Sequence, residues 1–246
     1  MHKYVIGLDY GTLSGRASIV DMTNGRVLAS AVYDYPHAVM DTALPCGAPL
    51  APDWALQHPQ DYLDVLDHTI PAILRESGVN AADVIGIGLD VTASTAMPCR
   101  QDGTPLCFLP EYKQNPHAYV KLWKHHAAQD KANIMTEVAQ ARGEWWLSAY
   151  GGKVSSEWSL PKLWQVMDEA PEIYAAMDCW VEATDWIVWQ LCGTWAQNSC
   201  CAGYKCMYDK EHGFPSEDYF AALDERLRHV VKEKLFAPVV PIGTHV

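Results

Sequence analysis

The feature that most constrains the fold of this chain is the stretch from Gly7 to Arg16, which joins two predicted strands directly. The first strand is predicted over residues 4–9 and the second over 16–21, and the linker between them is too short for a helix. Asn24-Gly25 is a strong signal for a tight turn, and a third strand is predicted over 27–35. Because the connections are so short, the chain is predicted to begin with an antiparallel meander.

The turn between the first two strands also has the composition of a phosphate-binding turn. Gly11 and Gly15 are predicted to allow a tight turn and to let backbone N–H groups approach a ligand. The hydroxyl groups of Thr12 and Ser14 add donors, and such a concave set of donors suits phosphate oxygens. Because strands flank the turn and it has no lysine, it differs from a Walker A loop and from a dinucleotide fingerprint. An ordinary hairpin is the alternative.

Three charged side chains are candidates for metal or phosphate contacts. Asp9 ends the first strand, and its carboxylate could hold Mg²⁺ through a water molecule. Arg16 could contact a phosphate or pair with a carboxylate. Asp90 ends a later apolar strand and could position magnesium or a water molecule, although a turn or capping role explains it equally well.

The rest of the sequence contains a long loop, one strong strand and many helical segments. Residues 36–58 predict a loop, Pro59 opens a helix and Gly78 ends it. The apolar run 84–90 predicts a buried, central, parallel strand, and another strand is predicted near 96–100. Helices are predicted over 118–129, 131–141, 160–168, 171–177, 184–192 and within 216–234. The fold class is therefore α/β, with a mixed sheet flanked by helices.

Composition excludes several classes of protein. The net charge is −12, which argues against a general nucleic-acid binder or a protein that binds anionic membranes. No apolar run approaches the ~20 residues of a membrane span, and no signal peptide is recognisable, so a cytoplasmic location is expected. The eight cysteines lack C-x-x-C spacing and are expected to be free thiols, mostly buried. A zinc site on Cys200, Cys201 and Cys206 is the weaker alternative, because adjacent cysteines are awkward tetrahedral ligands.

The strand–turn–strand setting of Asp9-x-Gly-Thr resembles the actin, Hsp70 and sugar-kinase superfamily. Further stretches resemble the FGGY carbohydrate kinases within it, and they lie at residues 115–129, 151–158, 185–193 and 199–205. Lys124-His125-His126, which follows a Leu-Trp pair, resembles the L-ribulokinase branch more than the xylulokinase or glycerol kinase branches. The sequence departs from the family pattern at Gln165, where a tryptophan is usual, because Trp164 fills the preceding spacer.

The resemblance implies an actin-like, ribonuclease H-like lobe that forms the N-terminal half of a two-lobed kinase. Residues 1–246 would be the sugar- and phosphate-binding lobe, and the ATP-binding C-terminal lobe would be absent from this chain. The implied reaction is the transfer of phosphate from ATP, with Mg²⁺, to the terminal hydroxyl of the ketopentose L-ribulose. The family's catalytic base is an aspartate of the second lobe, so no catalytic residue is expected here and this lobe alone is expected to be inactive.

The resemblance also implies three sugar-contacting residues, at Ala96, Trp123 and Lys205. Ala96 could offer a backbone hydrogen bond beside a small side chain, Trp123 a flat apolar wall, and Lys205 a donor to sugar hydroxyls. A core tryptophan and a solvated surface lysine are the alternatives. His125 and His126 would point about 100° apart on the predicted helix, so at most one would face a cleft, and the family does not need a histidine base.

Three points stay open from the sequence. The chain could belong to another FGGY kinase that acts on a different polyol or ketose. It could also be a non-catalytic actin-like module that binds a sugar, with a degenerate hairpin. A homo-oligomer is possible.

Overall fold

The computed structural model describes residues 3–246. The strands are β1 (Tyr4–Tyr10), β2 (Ser14–Asp21), β3 (Arg26–Asp34), β4 (Leu56–Gln57), β5 (Val84–Val91), β6 (Ala96–Cys99), β7 (Val120–Lys121), β8 (Cys179–Glu182), β9 (Gln197–Asn198) and β10 (Val239–Val240). The α-helices are α1 (Pro59–Ser77), α2 (Gln129–Arg142), α3 (Ser159–Glu169), α4 (Pro171–Ala176), α5 (Ala183–Cys192), α6 (Ser199–Lys205), α7 (Glu217–Leu223) and α8 (Val230–Lys234). Short 3-10 helices lie at Ala81–Asp83, Leu106–Phe108, Pro116–Ala118, Trp145–Tyr150 and Glu225–Leu227.

The chain folds into two compact units. The first contains the chain up to Val39 together with Gln57–Thr92, and the second contains Met40–Leu56 and Ala93–Val246. No helix within residues 3–246 has the length and apolarity needed to cross a membrane.

The first unit is built on a mixed four-stranded sheet in the order β3-β2-β1-β5. Strand β1 pairs antiparallel with β2, and β2 pairs antiparallel with β3, so the predicted meander is confirmed. The inward side chains of β1 and β2 are buried and include Ile6, Leu8, Ala17 and Ile19. The alternation of buried and exposed positions in these strands is typical of a sheet with one covered face.

Helix α1 begins and ends where its capping residues predict. The His58 side chain accepts a hydrogen bond from the Gln60 N–H, Pro59 stands at the first position, and Gly78 ends the helix with a φ of 67°. The buried face of the helix includes Tyr62, Val65, Thr69 and Ile73. This face packs against the sheet of the first unit.

Strand β5 pairs in parallel with β1, as predicted, but it is neither central nor buried. It stands at the edge of the sheet order, and Ile85 and Ile87 are 57% and 45% exposed. A continuous apolar run identified the strand correctly, but it could not tell whether neighbouring elements cover both faces. Within the described part of the chain, they do not.

Gly15 is required by packing, not by an unusual backbone angle. A Cβ atom at this position would lie 2.6 Å from Cγ2 of Val65 on α1, which is closer than two carbon atoms can approach. Gly15 is outside the set of glycines with positive φ. Gly15 therefore has a role in docking α1 onto β2, and its expected role in opening the turn to a ligand stays a prediction.

Gly15→Ala is expected to lower the free energy of unfolding by about 1–3 kcal/mol, because the added methyl group forces Val65 or the helix to move. Urea denaturation of the purified chain would measure the loss. Adding Val65→Ala should recover part of it, since the smaller side chain removes the clash. A Gly15→Ala chain as stable as the unaltered one would contradict the close packing.

The second unit contains a four-stranded sheet in the order β4-β7-β6-β8 and the short parallel pair β9–β10. Strand β6 pairs antiparallel with both β7 and β8. The apolar core of this unit includes the large side chains of Trp146, Trp158, Trp164 and Trp180. Five of the eight cysteines are buried, and the exposed ones are Cys46, Cys192 and Cys200.

The helix predicted over 118–129 is wrong. The chain there forms a 3-10 turn, the short strand β7 and a further turn, and α2 begins only at Gln129. The backbone is extended at β7 because Lys121 pairs with Ala96 of β6. Strand β8 and helix α6 were not predicted, since both are too short to show a clear periodicity.

Candidate functional site

The charged pair at the start of the hairpin is formed by register. Asp9 and Arg16 are directly opposed in the β1–β2 ladder, and Arg16 Nε lies 3.2 Å from Asp9 Oδ2. Both side chains are about half exposed. Of the two roles considered for Arg16, the structure shows the pairing with a carboxylate, and both groups stay accessible to a ligand.

The carbonyl groups at the tip of the hairpin accept hydrogen bonds from other residues of the first unit. The Gly11 carbonyl accepts from the Tyr35 hydroxyl at 3.1 Å, and the Thr12 carbonyl accepts from Gln57 Nε2 at 2.8 Å. The Leu13 carbonyl accepts from the Tyr35 N–H at 2.9 Å. In a planar trans peptide the N–H points away from the C=O, so each of these peptides directs its N–H away from the group that binds its carbonyl.

Gly11 itself closes the turn. Its N–H donates to the Ser14 carbonyl at 2.9 Å, and a Cβ atom would lie 3.2 Å from that same oxygen. Gly11 therefore shapes the hairpin from within. Thr12 lies in this turn and Ser14 begins β2, and the role of their hydroxyl groups as donors stays a prediction.

The residues present fit a magnesium ion only as a partly hydrated one. Asp9 is in register with Asp90 of the parallel neighbour β5, so two carboxylates stand at the ends of adjacent strands. Among residues 3–246, no three His, Cys, Asp or Glu side chains converge on one point. A carboxylate with waters and substrate phosphates is the usual way in which proteins hold Mg²⁺, and Asp9 matches that mode.

The three residues expected to contact a sugar lie in the second unit, with different exposures. Ala96 in β6 has no exposed surface, so its side chain offers a ligand nothing to touch. Trp123 lies in the turn after β7 and is 37% exposed. Because the segment is not a helix, the alternative of a core tryptophan on a helical face no longer applies.

Lys205 lies at the end of α6 beside an open cleft. Its Nζ is 3.4 Å from Glu157 Oε2 and 4.7 Å from the centre of the Tyr204 ring. The cleft has a volume of about 480 Å³ and is lined by Ala149, Tyr150, Trp158, Gly203, Tyr204, Lys205, Tyr208 and Asp209. Aromatic walls with a few polar groups are typical of sites that bind small polar molecules. Lys205 therefore has a defined partner and a cleft, unlike a solvated surface lysine.

The two histidines after Trp123 differ in burial, because His125 is buried and His126 is exposed. His125 is buried: Nε2 lies 2.9 Å from Gln165 Oε1, and Nδ1 accepts from the Ala55 N–H. Burial lowers the pKa of His125 well below its usual value. His126 Nδ1 lies 3.2 Å from the Ser156 hydroxyl. Because these residues are not helical, the 100° argument does not apply to them. The hydrogen-bond partners of His125 and His126 are consistent with the expectation that neither is the catalytic base.

Several buried charged groups of the second unit were not predicted from the sequence. Lys121, Lys162, Glu182 and Asp185 are all buried, each within or beside an apolar run. Burial raises the pKa of Asp185 to about 7, although Asn198 donates two hydrogen bonds to it. Burial lowers the pKa of Lys162. The signal in the sequence was a charged residue inside an apolar segment, as in Leu160-Pro-Lys-Leu-Trp164.

Comparison with known protein families gives a match over most of the chain. Residues 4–231 match the FGGY family of carbohydrate kinases, N-terminal domain. A "Ribulokinase" of Geobacillus thermodenitrificans (strain NG80-2) is 54% identical over 243 residues, which are 98% of this chain and 43% of that protein. A "Ribulokinase" of Mycolicibacterium smegmatis is 48% identical over 244 residues. The chain spans less than half the length of these curated relatives.

Solved structures show the same fold at low sequence identity. The xylulose kinase from Bifidobacterium adolescentis has a TM-score of 0.71 and 14% identity, and the match covers 98% of this chain and 48% of that one. The gluconate kinase from Lactobacillus acidophilus has a TM-score of 0.67 and 16% identity, with 98% and 42% covered. The predicted actin-like, ribonuclease H-like fold is confirmed by this likeness.

Proposed function

Because the chain belongs to the FGGY family of carbohydrate kinases, we propose that it provides the sugar- and phosphate-binding lobe of a kinase for L-ribulose. The observation that carries the proposal is the 54% identity to ribulokinases along 98% of the chain. The reaction would move the terminal phosphate of ATP to the terminal hydroxyl of the ketopentose and give L-ribulose 5-phosphate. A cytoplasmic location and a possible homo-oligomer belong to the same proposal.

In this proposal the hairpin of the first unit receives the transferred phosphate. The N–H groups opposite the held carbonyls, with the Thr12 and Ser14 hydroxyls, would bind phosphate oxygens. Asp9 would hold Mg²⁺ through water, and the ion would neutralise charge on the phosphates. Arg16 would keep the Asp9 carboxylate in place through their ion pair. Phosphoryl transfer depends chiefly on such alignment and charge neutralisation.

The second unit would hold the sugar. Lys205 would donate to hydroxyl groups from the wall of the aromatic cleft, and Trp123 would present its exposed ring to an apolar face of the sugar. Ala96, fully buried, would contribute through its backbone position alone. The catalytic aspartate and the adenosine pocket are expected outside residues 1–246, so this chain alone is expected to transfer no measurable phosphate.

Sugar binding by the chain itself tests the proposal. Titration with L-ribulose, followed by tryptophan fluorescence and by amide chemical shifts, should show saturable binding. Lys205→Ala is expected to weaken that binding about tenfold or more, because a hydrogen bond from a charged donor is lost. Lys210→Ala is the matched control, since Lys210 is exposed and lies outside the cleft.

The same titration separates the alternatives. Tighter binding of D-xylulose, gluconate or glycerol would assign the chain to another FGGY kinase. Binding of L-ribulose by a protein that never transfers phosphate, even with a second lobe attached, would indicate a non-catalytic sugar-binding module. Equal binding by Lys205→Ala and the unaltered chain would remove Lys205 from the site.

A further inference from the structure

Lys162, in the first turn of α3, is fully buried and binds two segments that are distant in the sequence. Its Nζ donates to the Ser94 carbonyl at 2.7 Å and to the Leu122 carbonyl at 2.8 Å. One of these carbonyls lies two residues before Ala96, and the other lies immediately before Trp123. The same ammonium group therefore fixes the main chain beside two of the three residues proposed to contact the sugar.

Glu182 holds the same segment from the other side. This carboxylate is buried at the end of β8, and its Oε2 accepts from the Thr95 N–H at 2.9 Å. The Ser94 carbonyl and the Thr95 N–H belong to one peptide group, so both polar atoms of the peptide group one residue before Ala96 are held by buried charged side chains. The positive charge of Lys162 and the negative charge of Glu182 attract each other, which offsets part of the desolvation that each suffers.

The third proposed sugar contact is joined to this network through Glu157. The Ser94 hydroxyl donates to the Glu157 carbonyl, and the Glu157 carboxylate pairs with Lys205 at 3.4 Å. The network formed by Lys162, Glu182, Ser94 and Glu157 therefore reaches the neighbourhood of Ala96, Trp123 and Lys205 together.

The backbone at Ser94 supports a functional reason for the network. Ser94 has a φ of 65°, in the left-handed region that residues with a side chain rarely adopt. Such a conformation costs on the order of 1 kcal/mol or more and persists only where surrounding contacts impose it. Here the contacts are the Lys162 ammonium on the Ser94 carbonyl and the Glu157 carbonyl on its hydroxyl. Buried charge and backbone strain thus coincide next to the proposed sugar site.

We propose that Lys162 and Glu182 are positioning residues, which hold Ser94–Ala96 and Leu122–Trp123 in the conformation that receives the sugar. The proposal rests on the proposed function, because it names the residues that shape the same sugar site. Neither side chain touches the sugar, and both act through the main chain. A stabilising role alone would not require that both lysine contacts fall beside proposed sugar contacts.

The test compares Lys162 with a second lysine that also donates to two main-chain carbonyl groups, but in another part of the fold. Lys234 also donates to two carbonyl groups, of Met177 at 2.7 Å and Tyr174 at 3.3 Å, far along the chain from the site residues. Lys162→Met and Lys234→Met should both lower the thermal midpoint. Only Lys162→Met is expected to weaken L-ribulose binding, by roughly tenfold or more, and to shift the amide signals of Ala96 and Trp123.

Binding is measured at a temperature where circular dichroism shows each variant to be folded. Ser94→Gly provides the second variant if Lys162→Met does not fold, because glycine adopts a φ of 65° without strain. The substitution removes the hydrogen bond from the Ser94 hydroxyl to the Glu157 carbonyl and makes the backbone there more flexible. The variant should therefore fold normally but bind L-ribulose more weakly than the unaltered chain. Lys210→Ala serves again as the variant with unchanged binding.

The outcomes are distinct. Binding by a folded Lys162→Met chain that equals binding by the unaltered chain overturns the inference while the proposed function stands. If Lys162→Met is unfolded, unchanged binding by Ser94→Gly overturns it in the same way. A failure of the unaltered chain to bind L-ribulose refutes the proposed sugar site, and the inference falls with it.

Discussion

Asp9→Asn is expected to lower phosphoryl transfer by roughly 10²- to 10³-fold, the range seen when one preorganised charge-stabilising group is removed. The asparagine side chain keeps the shape of aspartate and still accepts a hydrogen bond from Arg16, which lies 3.2 Å away. It no longer carries the charge that would hold a hydrated magnesium ion. The rate should therefore fall without any loss of structure.

The assay needs a second lobe, which can be supplied by a chimera. This chain would replace the matching N-terminal part of one of its ribulokinase relatives, and ADP release would be followed with L-ribulose and MgATP. Asp67→Asn, an exposed carboxylate on α1, is the matched control and should leave the rate unchanged. Residues 1–246 alone provide the background. Full turnover by the Asp9→Asn chimera, with an unchanged thermal midpoint, would remove Asp9 from the phosphate site.

Lys121→Met is expected to raise the free energy of unfolding at neutral pH by about 1–4 kcal/mol. Lys121 is fully buried, and its Nζ has no hydrogen-bond partner among the described residues. Its Nζ lies 4.2 Å from the centre of the Trp54 ring. Methionine fills nearly the same volume with no charge to desolvate, so the substitution removes a penalty and keeps the packing.

The sign of the pH dependence follows from the pKa. Burial lowers the pKa of Lys121 well below its usual value, so the unfolded chain binds a proton that the folded chain binds poorly. The contribution of Lys121 to stability is therefore most unfavourable at low pH, and it improves as pH rises towards the ordinary pKa of lysine. The advantage of Lys121→Met should shrink between pH 7 and pH 10.

Urea denaturation at these two pH values measures both effects. Lys131→Met is the control, because Lys131 pairs with Asp168 and the loss of its charge should not raise the free energy of unfolding. A second readout is His117, whose pKa is lowered to about 2 by burial and, to a smaller extent, by Lys121. Removing Lys121 should raise the pKa of His117. A Lys121→Met chain that is less stable than the unaltered one at pH 7 would show that favourable interactions offset the desolvation of the Lys121 ammonium group.

Local signals predicted the first unit well. Asn24-Gly25, the short linker before Arg16 and the cap at Gly78 act over a few residues, and the meander and α1 follow from them. The pairing of Asp9 with Arg16 is also local, because the register of a tight hairpin fixes which side chains oppose each other. These features need no knowledge of the rest of the chain.

The missed features depend on contacts between segments that are far apart in sequence. The extended backbone at Lys121 exists because β7 pairs with β6, and the helical periodicity of 118–129 contains no sign of that pairing. The role of Lys162 appears only when Ser94 and Leu122 are brought to one point in space. A lysine in an apolar run signals that something must satisfy it, but the sequence does not say which carbonyl groups do so.

The edge position of β5 bears on how the isolated chain behaves in concentrated solution. An edge strand offers unpaired main-chain groups that can template pairing with another molecule, and charged side chains normally discourage this. The exposed side chains here are Ile85 and Ile87, alternating with glycine, and the first charge along the strand comes at Asp90. The isolated chain is therefore expected to self-associate through this edge at high concentration, and a lysine in place of one exposed isoleucine should reduce that association.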